Sequence, residues 1–273
     1  MTPKDILNRK RTGQKMTMLT AYDHPTAILM DQSGIDVVLV GDSLANVVLG
    51  LESTTQVGMT EMLHHCKAVS RAVKNALVVG DMPFEAYQID PQKSVANAQL
   101  FINEAGCGAV KLEWFDTCVT VAVSIVKSGI AVMGHVGLTP QTVTSKDGMK
   151  VQGKDSVSAK RIIAQAKSLQ DAGCFAIVLE CMPLELAKII TEQLSIPTFG
   201  IGAGKYCDGQ VLVSHDVLGL TLGRSPKFSK KFVDLGPLMQ DAFKKYKQEV
   251  QSGSFPDDAH SFHMPSLELL DLS

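Results

Sequence analysis

Five apolar runs of the chain end in a side chain that can carry charge. They are Val40-Gly41-Asp42-Ser43, Val79-Gly80-Asp81, Val110-Lys111-Leu112-Glu113, Gly134-His135 and Val178-Leu179-Glu180. Asp42, Asp81 and Glu113 are hard oxygen donors. Three carboxylates in one small volume cannot all ionise cheaply without a cation. All-oxygen ligation favours Mg²⁺ or Mn²⁺, whereas zinc recruits more His and Cys than His135 alone supplies. Lys111 lies two residues before Glu113 and shares its face of an extended segment. It reads either as an anchor for a substrate carboxylate or as a charge partner for the acids. Glu180, from a later run, suits a general base rather than a fourth ligand. A divalent ion held here would polarise the carbonyl of a 2-oxo acid and acidify the adjacent C–H. The residues therefore point to metal-assisted enolisation with a carboxylate base. Taken singly, each acid could be a loop residue or a helix cap. Five successive runs ending this way favour a shared site.

The elements that must position these groups alternate. Apolar, β-branched runs at 16–21, 36–40, 77–80, 109–112, 130–134, 176–179, 197–201 and 210–213 read as strands buried on both faces. Helical patterns fill 25–32, 60–74, 91–104, 117–127, 158–170 and 183–193. Thr60 is the expected N-cap of the second, and Gly34, Gly106, Gly129 and Gly173 are expected helix stops. Eight strands alternating with helices predict a (β/α)8 TIM barrel, in which all strand ends meet at one mouth. An open doubly wound sheet is the alternative, but no phosphate-binding fingerprint follows an early strand. The glycine-rich run 199–205 fails both nucleotide patterns, because Phe199 and Lys205 stand where glycines are required and Tyr206 follows the lysine. Gly200, Gly202 and Gly204 read instead as a tight backbone approach. Residues 1–273 are read as one barrel domain with a C-terminal helix and tail from about 223. The helix is expected over 232–251, packed on the barrel or on a neighbouring subunit, with a polar tail over 252–273.

Composition narrows the partners. The 273 residues carry a net charge of −2, with 45 % apolar and 20 % charged residues. This excludes disorder along the whole chain, and the near-neutral pI argues against nucleic acid. Lys227, Lys230, Lys231, Lys244, Lys245 and Lys247 read as a solvated face. No apolar stretch reaches the ~18 residues of a membrane span, and residues 1–11 lack the apolar core of a secretory signal. The six cysteines form no C-x-x-C pair and read as reduced thiols of a cytoplasmic protein.

These motifs, in this order, resemble the ketopantoate hydroxymethyltransferase family. The resemblance rests on segments 18–23, 39–44, 81–84, 110–113, 134–141, 178–180, 200–204, 207–213 and 215–219, with Lys227-Phe228 and residues 253–262 following. It implies transfer of a one-carbon unit from 5,10-methylenetetrahydrofolate to 3-methyl-2-oxobutanoate, giving 2-dehydropantoate on the route to pantothenate and coenzyme A. It implies Mg²⁺ on the positions of Asp42, Asp81 and Glu113, and a keto acid held by the metal, Ser43 and Lys111. Glu180 matches the proton acceptor, and His135 lines the same site. The implied fold is a barrel of the phosphoenolpyruvate/pyruvate type, the implied assembly a homodecamer. One departure stands out: Trp114 and Phe115 follow Glu113 where the family usually has small residues. Two aromatics at the mouth are expected to narrow it or to change the folate contacts. Two other readings of the chain are a Mg²⁺-dependent C–C lyase of a 2-oxo acid and a non-catalytic barrel.

Overall fold

The computed structural model describes residues 1–88, 90–143, 150–221, 223 and 226–264. The part of the expected tail beyond residue 264 lies outside them. Eight parallel strands close into a barrel in chain order. They are β1 Met16–Thr20, β2 Val37–Val40, β3 Leu77–Asp81, β4 Ala109–Glu113, β5 Val132–Gly137, β6 Ala176–Glu180, β7 Thr198–Ile201 and β8 Gly209–Leu212. All eight expected strands are present. The helices are α1 Pro3–Thr12, α2 His24–Gln32, α3 Leu44–Val47, α4 Met59–Ala72, α5 Pro91–Asn103, α6 Cys118–Lys127, α7 Ser156–Asp171, α8 Leu184–Gln193, α9 Ser214–Leu218 and α10 Leu235–Ser252.

Strand parity divides the core. Alternate side chains such as Met16, Met18, Val37, Leu39, Leu77, Val79, Met133, Val178 and Phe199 fill the barrel interior. Their neighbours, among them Val38, Val78, Val110, Leu112, Ile177 and Leu179, pack outward against the helices. The inward parity continues to the strand ends, so Asp81, Lys111, Glu113, His135 and Glu180 form the uppermost layer. They sit at the C-terminal face, the functional end of this architecture.

Residues 202–208, where the sequence shows no helical pattern, join β7 to β8 as turns. The glycines there make the expected close approach. At Gly204, φ is +78° and an added Cβ would fall 2.4 Å from the Cβ of Leu184. Helix α4 starts before Thr60: Gly58 is its N-cap, and Glu61 accepts the Gly58 N–H at 2.9 Å. Glycine has no side chain to cap with, so only the Glu61 half of a capping box forms, and Thr60 already lies inside the first turn. The expected glycine stops hold, each with positive φ at Gly34, Gly106, Gly129 and Gly173.

The first residues form an element the periodicity did not announce. In α1, Thr2 caps the amide of Asp5, and Asp5 accepts the Thr2 N–H in return. Ile6 is fully buried among the lower interior side chains. Lys10 reaches Asp208 at 2.8 Å, and Arg9 pairs with Asp36, so charges below β8 and β2 hold the helix across the barrel floor. At the other terminus, α10 begins at Leu235, later than expected. The Phe232 N–H is instead bonded to the Val217 carbonyl of α9 at 2.8 Å. No residue of α10 is buried, so the helix does not pack on its own barrel. Lys231, Lys244 and Lys245 make only exposed ion pairs, in keeping with a solvated face.

Ile6 fills space that no other residue of α1 occupies. Ile6→Ala is expected to lower unfolding stability by about 2–5 kcal/mol, read as a reduced urea midpoint at unchanged m-value. A loss under 0.5 kcal/mol would mean that α1 does not plug the barrel.

Candidate functional site

A cavity of about 460 Å³ opens at the C-terminal mouth. Asp42, Ser43, Asp81, Lys111, Glu113, His135 and Glu180 all line it, so the seven residues singled out from the sequence converge. Parity delivers five of them. Asp42 and Ser43 arrive differently. Asp42 lies past the end of β2, and its alternation would place it with the outward Val38 and Val40. The chain turns at Gly41, and the Asp42 N–H donates to Asp81 Oδ2 at 3.2 Å. The same turn starts α3 and puts Ser43 Oγ 2.8 Å from the Tyr22 hydroxyl. Burial keeps that phenol neutral well beyond the physiological range, so it can donate to Ser43 and leave the serine proton for a ligand.

The charges are dense and dry. Asp81 and Glu113 are each 1 % exposed, His135 2 % and Lys111 4 %. Lys111 Nζ lies 2.8 Å from Asp81 Oδ1 and 3.9 Å from Glu113 Oε1. His135 Nδ1 is 3.4 Å from Glu113 Oε1, and its Nε2 is 3.2 Å from Glu180 Oε2. Burial pushes the Asp81 carboxyl up to about 7; it outweighs the pull of Lys111, and repulsion from Asp42 and Glu113 adds to it. Asp42 moves up for the same reasons, burial first and then the Glu113 charge. Burial would also raise Glu113, but His135, Lys111 and the Gln141 amide outweigh it and hold that carboxyl below its ordinary value. His135 is raised to about 9: burial and Lys111 oppose its charge, and Glu113 and Glu180 prevail.

Four acids thus face one lysine and one histidine, a deficit of positive charge that suits a divalent cation. Among the described residues, no three His, Cys, Asp or Glu side chains form a ready-made cage. The donors fit instead an ion that takes few carboxylates directly and keeps water or substrate on its remaining positions, the habit of Mg²⁺.

Sequence reasoning assigned no role to Gln141 or Tyr87. The Gln141 side chain donates to Asp42 Oδ2 at 2.9 Å and to the Met82 carbonyl at 3.1 Å. The signal was a Thr-Pro-Gln-Thr turn directly after β5, in a segment noted only for its resemblance. Of the two effects expected of the aromatics, narrowing of the mouth is corrected: neither lines it. Phe115 packs edge-on against Phe84 and Tyr87. It and Trp114 line a separate cavity of about 560 Å³ with Arg161 and Gln165. Cys181 does reach the mouth, at the unusual φ of +46°. Its thiol is pushed up to about 12 by burial and by Glu180, which leaves it unreactive. The other five cysteines are buried and free.

Solved structures share the fold. The barrel superposes on 2,3-dimethylmalate lyase, a PEP mutase/isocitrate lyase superfamily member, with a TM-score of 0.61 at 15 % identity over 96 % of this chain and 92 % of that one. It superposes on phosphonopyruvate hydrolase with a TM-score of 0.64 at 10 % identity over 100 % and 95 %. Within that fold, sequence is decisive. The ketopantoate hydroxymethyltransferase family pattern matches residues 1–258, and the chain belongs to that family. A 3-methyl-2-oxobutanoate hydroxymethyltransferase of Syntrophomonas wolfei is 52 % identical over 99 % of this chain and 98 % of its own length. One of Clostridium novyi is 55 % identical over 93 % and 92 %.

The shifted groups give the metal-free protein a defined pH response. A carboxyl raised to about 7 binds its proton in the folded state where the unfolded chain has lost it. Its stabilising contribution is present at low pH and fades as pH rises through 7. His135 acts in the same sense: its contribution is complete below its ordinary 6.5 and is lost as pH rises through 9. In chelator, the urea midpoint is therefore expected to fall between pH 6 and pH 9. A flat or rising midpoint would show that these groups are not buried together as described.

Proposed function

We propose that this chain is a hydroxymethyltransferase that converts 3-methyl-2-oxobutanoate to 2-dehydropantoate for pantothenate and coenzyme A synthesis, with 5,10-methylenetetrahydrofolate as the one-carbon donor. Family membership supports the reaction. The observation that carries the mechanism is the placement of Glu180 on β6, across the barrel from Asp42 and Asp81 but in the same cavity. Asp42, Asp81 and Glu113 would hold Mg²⁺. When bound, that ion would polarise the keto group and make the C3 proton of the substrate acidic. Lys111 and Ser43 would bind the keto acid, with His135 completing its surroundings. Glu180 accepts the C3 proton, and His135 at 3.2 Å can balance the charge on the carboxyl or share its proton. The C3 carbon then bonds to the methylene carbon of the folate iminium. Water takes the place of N5 on that carbon, releasing tetrahydrofolate and 2-dehydropantoate.

In this reading the chain acts as one (β/α)8 domain in the cytoplasm. No helix among the described residues is long and apolar enough to cross a membrane. It assembles as a homo-oligomer, a decamer by its family. The support for assembly is α10, whose Leu238, Phe243 and Tyr246 are 60–64 % exposed on an amphipathic helix that its own barrel leaves bare. Apolar faces of this kind are covered in working assemblies. Leu238→Asp combined with Phe243→Asp is expected to lower the solution mass from a decamer to a smaller species in multi-angle light scattering. An unchanged mass would remove α10 from the interface.

The deciding experiment incubates the protein with Mg²⁺, methylenetetrahydrofolate and 3-methyl-2-oxobutanoate, with and without chelator, and reads 2-dehydropantoate by mass spectrometry. Chelator-sensitive product is expected; turnover of a 2-oxo acid without folate would instead favour a C–C lyase. Glu180→Gln is expected to slow both product formation and C3 hydrogen exchange into deuterated water by at least about 10²-fold. Near-normal exchange in that variant would exclude Glu180 as the base.

A further inference from the structure

We infer that Gln141 and Tyr87 form a positioning clamp that turns Asp42 and Glu113 so that each presents one carboxylate oxygen to a cation in the mouth. This rests on the reading of these acids as metal ligands. The clamp begins with a turn. The Thr142 N–H donates to the Thr139 carbonyl at 3.0 Å, the two threonine hydroxyls lie 2.6 Å apart, and Pro140 stiffens the bend. The turn drives Gln141 inward until it is 4 % exposed. Its backbone N–H then donates to Glu113 Oε2 at 3.0 Å.

Every polar group of the Gln141 side chain is used. Nε2 donates to Asp42 Oδ2 and to the Met82 carbonyl, and Oε1 accepts from the Tyr87 hydroxyl. The opposite amide orientation would set Oε1 against two acceptors, so the side chain has one stable pose. The Tyr87 hydroxyl in turn accepts the Glu113 N–H at 3.2 Å. Burial keeps that phenol neutral and able to donate. Phe84 and Phe115 pack edge-on against its ring at 5.6 and 5.4 Å and hold it in place.

The consequence is a division of oxygens. Asp42 Oδ2 and Glu113 Oε2 are tied to Gln141, which turns Asp42 Oδ1 and Glu113 Oε1 toward the mouth. There Glu113 Oε1 faces His135 Nδ1 at 3.4 Å and Lys111 Nζ at 3.9 Å, cations that a bound metal would displace from it. The loop after β5 thus connects carboxylates from the β2 and β4 ends. Partners behind the ligands of a metal site typically change its affinity by about 10–100-fold.

The test is a Mn²⁺ titration of the metal-free full chain, without substrate, followed by electron paramagnetic resonance of the free ion. Gln141→Leu is expected to raise the Kd about tenfold or more, and Tyr87→Phe about threefold. Because both act through one network, the double variant should bind no more than about twofold more weakly than Gln141→Leu alone. A purely structural role would lower the urea midpoint and leave the Kd in place. A Kd within twofold of the wild type in Gln141→Leu, or losses that multiply in the double variant, overturns the clamp. Should Gln141→Leu fail to fold, Tyr87→Phe, which keeps the ring packing, decides alone: an unchanged Kd overturns the proposal. A wild-type chain that binds no Mn²⁺ removes the metal reading and the clamp together. A wild type that binds, with variants that bind equally, removes the clamp only.

Discussion

The ion pair between Lys111 and Asp81, held at 2.8 Å inside a nearly dry mouth, is the contact around which the active end is organised. Both charges are buried, and removing water from them costs several kcal/mol each before any attraction is counted. The barrel meets that cost by crowding further charge around them. Glu113 and Asp42 favour the lysine, while His135 and the Gln141 amide favour Glu113. The result remains short of positive charge, and burial first, with repulsion between the acids added, makes Asp42 and Asp81 hold protons more tightly than ordinary carboxyls. A site in this state is poor as a stabilising core and well prepared for a cation. Chemistry and stability are set at opposite ends of the same strands. The floor is closed by Ile6 and by ion pairs from α1 to Asp36 and Asp208, which also accept from Thr17 of β1 and Thr198 of β7.

What the sequence made legible follows from strand parity. An apolar run that ends in an acid announces both a strand and the direction of its last side chain. Asp81, Glu113, His135 and Glu180 therefore could be read as one layer before any fold was known. Asp42 could be placed at the mouth only because its run ended in the same way; its alternation pointed outward, and the turn at Gly41 reverses it. Gln141 left no periodic trace because it sits on a loop, and its contacts reach residues 28 to 99 positions earlier. Helix α1 escaped because its mostly polar face shows one buried residue, Ile6, too few for a period. The turn connection between β7 and β8 was legible: a link as short as 202–208 has room only for turns, and its glycines were the local sign.

Trp114 and Phe115 show how a fold absorbs an unusual sequence. Judged by position alone, two aromatics directly after Glu113 belong at the mouth. Parity says otherwise: Glu113 points inward, so Trp114 points away, and its N–H continues the ladder to the His135 carbonyl at 3.0 Å. Phe115 then falls beside Phe84 and Tyr87, where its bulk buttresses the phenol that holds Gln141. The bulk that seemed to threaten the entrance therefore acts behind the carboxylates, and the mouth keeps the residues its charge balance requires. The alternation that aims Glu113 at the cavity turns Trp114 away from it, and the end of β4 at Glu113 frees Phe115 to pack against Phe84 and Tyr87.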